Sequence, residues 1–159
     1  MFKILILISL LTLTAMSQTI HFSEEKYHAA LETSFNKEGN ITFLDDRIEV
    51  IYFKNRRKLI YQKELLTVEK EGKKEEIDLR ERPEVKIFFR LFRAIYFDDQ
   101  KLISSFFTQK EREGINILSP QDMVSHYIEQ VRYKRDEKKL VFLEINFVSR
   151  DRIRIEELD

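Results

Sequence analysis

The residues that could do acid–base or metal chemistry in this 159-residue chain are three histidines, 28 Asp and Glu and 28 Lys and Arg. Their spacing assembles no site. His21, His28 and His126 have no second histidine or carboxylate at a metal-ligand interval, and each reads as a surface histidine. No Gly-x-Ser-x-Gly presents a serine nucleophile. Gly39, Gly72 and Gly114 stand too far apart to cradle a phosphate. Cysteine is absent, which excludes disulfides, thiolate metal sites and a Cys nucleophile. Carboxylates are so abundant that no pair stands out for glycoside hydrolysis, and no Trp offers a sugar platform. A formal net charge of zero lacks the basic excess that holds phosphate backbones. The expectation is a protein that is not an enzyme, with no metal, no cofactor and no nucleic-acid partner.

What remains is apolar. The chain carries 13 Phe and 6 Tyr. They read either as a Phe-rich core or as the lining of a cavity for acyl chains. The second reading needs no polar catalytic group, because each buried CH2 contributes about 0.8 kcal/mol. Lys54, Arg56, Arg57 and Lys58 cluster in a turn. They read as a solvated turn guarding a strand edge, or as a contact for an acidic partner or anionic head group.

The elements that would position these residues follow from periodicity. Ser23 as a cap, with Tyr27, Leu31 and Phe35 at four-residue spacing, predicts a first helix over 23–37, ended by Gly39-Asn40. Strands are expected at 41–43, 48–52, 59–61, 65–68 and 77–79. Their short connections make them antiparallel neighbours. Pro83 and Glu84 open a helix over 84–97. On it Lys86, Arg90 and Arg93 form one basic stripe, and the rest is an apolar arc of roughly 220°, against about 100° for one packed face. That helix therefore has apolar surface to spare, which makes Phe92→Glu a change the fold should tolerate. Asp98 is expected to cap a short turn carrying Leu102, Ile103, Phe106 and Phe107. Strands at 115–118, 127–133, 140–148 and 153–155 complete a single domain over 18–159.

Residues 1–17 have the layout of a signal peptide. Lys3 precedes an apolar run from Ile4 to Leu13, and Ala15-Met16-Ser17 supplies small residues before Gln18. The run is shorter than the roughly 20 residues a bilayer span needs. Cleavage after Ser17 and export to the periplasm are expected.

Several segments are shared with a known family. They are Phe35 followed by Gly39-Asn40-Ile41-Thr42-Phe43, Ile48-Glu49-Val50-Ile51-Tyr52 leading to Leu59-Ile60-Tyr61, the helix from Phe88 to Ile95, Ile117-Leu118-Ser119-Pro120, and Leu143-Glu144-Ile145 with Arg150-Asp151-Arg152-Ile153-Arg154-Ile155. On these the chain resembles the periplasmic outer-membrane lipoprotein carriers (LolA-like). The resemblance implies an α+β fold, an incomplete and strongly curved antiparallel β-barrel with helices over its open side. It implies a carrier that shuttles acyl chains of lipoproteins or lipids between the inner and outer membrane as a monomer. Such a carrier meets an inner-membrane donor and an outer-membrane acceptor transiently. The same barrel in an interaction or sensor module of envelope-stress signalling is the alternative. On the strands the expected lipid-binding residues are Phe43, Val50, Tyr52, Tyr61, Leu143 and Ile145. On the helices they are Phe88, Phe89, Phe92, Ile95 and Phe106. The chain departs from the family in lacking Trp, in Lys54-Asn55 after the Tyr-containing strand, and in Arg150 before Asp151.

Overall fold

A computed structural model describes residues 17–159. The signal peptide expected over 1–17 falls almost wholly outside the described residues.

Strand β1 (Gln18–His28) and β2 (Thr33–Phe43) pair along their whole length, from Gln18 opposite Phe43 to His28 opposite Thr33. This overturns the helix expected over 23–37. The two-residue period wins: Ile20 and Phe22 on β1 and Ile41 and Phe43 on β2 are all buried, while Leu31 and Phe35 of the four-residue pattern are exposed. Ser23 is therefore no cap but lies mid-strand opposite Glu38. The 3-10 turn Ala29–Leu31 joins the two strands.

The remaining strands are β3 (Ile48–Tyr52), β4 (Arg57–Gln62), β5 (Leu65–Lys70), β6 (Lys73–Asp78), β7 (Phe107–Arg112), β8 (Ile115–Pro120), β9 (Ile128–Asp136), β10 (Lys139–Phe147) and β11 (Arg152–Glu157). All eleven form one antiparallel sheet in the order β6-β5-β4-β3-β2-β1-β11-β10-β9-β8-β7. The sheet does not close, because β6 and β7 are its edges. The result is an open, curved half-barrel with helices, the fold class expected. Strand β7 had no counterpart in the expected elements, since every residue after Phe107 is polar and exposed and only Phe107 is buried. Both edges are thus rich in Lys, Glu and Arg, which discourages pairing with a second sheet.

Two hairpins turn through Glu71-Gly72 and Glu113-Gly114, with both residues of each pair at positive φ. That backbone matches the right-handed twist of the flanking strands. Gly39 is needed for space. A Cβ there would sit 2.1 Å from the Ile51 carbonyl oxygen, so glycine lets β2 and β3 approach beside the Phe22 ring.

Two helices cover the inner face. Helix α1 (Pro83–Tyr96) starts with Pro and Glu84 in its first turn, as expected. Helix α2 (Gln100–Phe106) is capped by Asp99, whose carboxylate accepts from the Leu102 amide at 3.0 Å. The expected cap, Asp98, instead sits at φ 58° and turns the chain out of α1.

Candidate functional site

The inner face of the sheet builds the floor of the site. Register sets Ile41 and Leu59 on either side of Val50, and Phe43 and Tyr61 on either side of Ile48. On the other half Leu143 lies opposite Ile155 and Tyr133, and Ile145 opposite Ile153 and Val131. Every one of these residues points to the same side, because side chains alternate and the pairs are in register.

Helix α1 lies on this floor through aromatic contacts. Phe43 stacks on Tyr96 at 4.7 Å between ring centroids and meets Phe92 edge-on at 5.5 Å. Tyr61 stacks on Phe89 at 4.9 Å. Such pairs add about 0.5–1.5 kcal/mol each beyond burial. Polar ties between helix and sheet are few. Arg93 donates to the Leu44 carbonyl at 2.7 Å, Gln18 donates to the Tyr96 hydroxyl at 2.7 Å, and Lys86 pairs with Glu64.

The expected lipid-binding residues all gather in one apolar cluster. Phe43, Val50, Phe89, Phe92, Ile95, Leu143 and Ile145 are buried, and Tyr52, Tyr61, Phe88 and Phe106 are partly buried against them. The cluster is packed. Phe92 is 1% exposed, so Phe92→Glu would place a charge in the core, contrary to the expectation that the fold tolerates it. The surplus apolar arc of α1 has a structural use: Leu91 and Ala94 pack toward Leu102, Ile103 and Phe107, closing a seam with only about 10 Å3 of space.

Space opens at one end of that seam. A groove of about 490 Å3 lies between the start of α1, the end of α2 and the 3-10 turn Asp122–His126. Its walls include Ile87, Phe106, Met123, Val124 and Tyr127, and its rim includes Lys86, Arg90 and Asp122. Ile87, Arg90 and Phe106 line both groove and seam, so the groove leads into the α1–α2 boundary. Its volume is in the range of small-ligand sites, about 300–1,000 Å3. Sequence reasoning placed Phe106 here and missed the rest. Ile87 was legible as the residue one turn before Leu91. Met123 was not, because a 3-10 turn leaves no periodic signal, and Tyr127, expected to open the strand over 127–133, instead caps that turn.

Polar chemistry lies elsewhere. Burial, and then the Glu24 carboxylate, push the Tyr52 phenol well above its ordinary value, and its hydroxyl donates to Glu24 at 2.9 Å. Burial also raises Tyr61, against the pull of nearby Arg90. His21 lies 3.7 Å from Glu38 and His28 4.0 Å from Asp151, while His126 borders the groove. Among the described residues no three His, Asp or Glu side chains converge as a metal site. A second hollow of about 730 Å3 is charged, with Glu24, Glu25, Glu38 and Glu156 facing Lys37, Lys54 and Arg154. No helix among the described residues is long and apolar enough to cross a membrane.

No protein-family model and no curated protein matches the sequence. Among solved structures, the lipoprotein LppX of Mycobacterium tuberculosis is similar with a TM-score of 0.45 and 11% sequence identity. The match covers 88% of this chain and 84% of that one. At that level no residue of LppX is carried onto this chain.

Proposed function

We propose that the protein is a non-enzymatic periplasmic carrier that binds acyl chains of lipoproteins or lipids and shuttles them between the inner and outer membrane. The observation that carries the reading is the apolar groove opening into the α1–α2 seam, directly above an aromatic core. The LolA-like resemblance of the sequence points the same way. Hydrocarbon enters at the groove, parts α1 from α2, and replaces side-chain contacts of α1 with contacts to cargo. The exchange is cheap because apolar contacts are non-directional and only a few polar ties hold α1 to the sheet. Opening then needs only a few kcal/mol between two states. The carrier works as a monomer and meets its membrane donor and acceptor transiently.

One observation favours the alternative, a LolA-like interaction or sensor module: the interior beneath α1 is filled. Displacement of a hydrophobic dye by acyl ligands separates the two. A carrier loses dye to ligand; an interaction module with a permanently filled core does not. Ile87→Glu puts a charge into the groove wall at a half-buried position, which the fold is expected to tolerate. It is expected to abolish displacement while the thermal unfolding transition stays cooperative. Normal displacement by the folded variant would remove the groove from the pathway.

A further inference from the structure

From the groove rim we infer that the cargo carries an anionic head group, phosphate or carboxylate, and that Arg90 recognises it; this rests on the carrier reading above. The three cations of the α1 stripe have different fates. Arg93 spends its guanidinium on the Leu44 carbonyl and the face of Phe97. Lys86 is neutralised by Glu64. Arg90 lies over the ring of Phe106 at 5.2 Å and has no hydrogen-bond or ion-pair partner among the described residues. It is half-buried and lines both the groove and the seam.

A guanidinium held at the edge of an apolar groove is poorly placed to be satisfied by water on every side. Its planar fork matches the two oxygens of a carboxylate or phosphate. The Phe106 face fixes the plane of the guanidinium without consuming its donors. One carboxylate, Asp122, is part of the same lining, yet among the described residues it makes no ion pair with Arg90. Asp122 belongs to the 3-10 turn, and Arg90 to α1 beside the seam. The arrangement therefore offers hydrocarbon contact along Ile87, Phe106, Val124 and Tyr127, with one unpaired positive charge where the chain enters the seam. A zwitterionic head group gains less there, because its own cation meets Arg90.

The test measures binding of three probes of equal chain length to the full protein by dye displacement: myristoyl-lysophosphatidylglycerol, myristate and myristoyl-lysophosphatidylcholine. Both anionic probes are expected to bind about tenfold more tightly than the zwitterion, the size of one charge-assisted hydrogen-bonded contact. Tighter binding of only one of them identifies phosphate or carboxylate as the source of the charge. Arg90→Gln is expected to erase the preference by weakening both anionic probes about tenfold, to the level of the zwitterion, and Arg90→Lys to restore part of it. Retention of the full preference by Arg90→Gln overturns the assignment. So does equal binding of all three probes by the wild type, a result that leaves the carrier reading intact. If none of the three binds, the carrier reading fails as well.

Discussion

The two faces of the central strands β1, β10 and β11 are built from opposite kinds of contact. On the outer face charges interlock: Glu144 lies between Arg132 at 3.5 Å and Arg154 at 3.2 Å, Arg154 also holds Glu156, and Arg152 donates to Glu25 at 2.8 Å. On the inner face Ile20, Phe22, Leu143, Ile145 and Ile155 present only hydrocarbon. Directional ion pairs across strands fix which residue stands opposite which, and they tolerate little displacement. Hydrocarbon contacts have no preferred direction, so one apolar partner can replace another at little cost. The difference shows how one sheet can keep its register while the material above it changes. Under the carrier proposal, the outer lattice holds the shape and the inner face is the exchangeable one.

The inner face can be broken by removing its central ring. Phe43 is 1% exposed and touches three aromatic residues at the end of α1. Phe43→Ala is expected to lower unfolding free energy by about 4 kcal/mol in a denaturant titration. A loss below about 1 kcal/mol would mean that α1 is not anchored there.

A polar contact on the inner face sharpens the contrast. Glu24 is 8% exposed and accepts from the Tyr52 hydroxyl. Tyr52→Phe removes the donor and leaves the carboxylate buried, at a cost of about 1–3 kcal/mol. The pH dependence follows from the raised phenol. The native state holds the proton more tightly than the unfolded chain, so this stability is complete below the ordinary tyrosine value of about 10 and is lost as pH rises above it. Tyr52→Phe should therefore flatten the alkaline fall in stability. An unchanged alkaline slope would contradict the role given to Tyr52.

The outer face yields the smallest effect. Arg154→Met breaks pairs with Glu144 and Glu156, but its side chain is 33% exposed and Arg132 still serves Glu144. The expected loss is about 1 kcal/mol, shrinking at high salt, read from urea midpoints in low and high NaCl. A salt-independent loss would assign Arg154 a packing role over the Phe142 ring instead.

The sequence made the α1 region legible because Pro83, Glu84 and a long apolar period agree on one helix. Strands β3, β4, β5, β8, β9, β10 and β11 were legible from alternation and short polar turns. The first hairpin was not. Its only apolar inner residues are Ile20, Phe22, Ile41 and Phe43, while Glu24, Lys37 and Gly39 interrupt the alternation between them. Tyr27, Leu31 and Phe35 then offered a false helical stripe. Of the candidate groove only Phe106 was among the residues named from the sequence; the other named residues lie in the packed apolar cluster. What could not be read is that this cluster is filled and that space lies beside it, because volume depends on how α1 and α2 pack and not on any residue's type.

The central claim is that α1 moves to admit cargo. Lys86 on α1 pairs with Glu64 in the turn between β4 and β5, and the chain has no cysteine of its own. A Glu64→Cys/Lys86→Cys variant bridged by a short bis-thiosulfonate reagent would tie the helix to the sheet reversibly. Uptake of a fluorescent fatty acid should disappear in the bridged protein and return on reduction. Equal uptake before and after bridging would show that hydrocarbon reaches its site without any movement of α1.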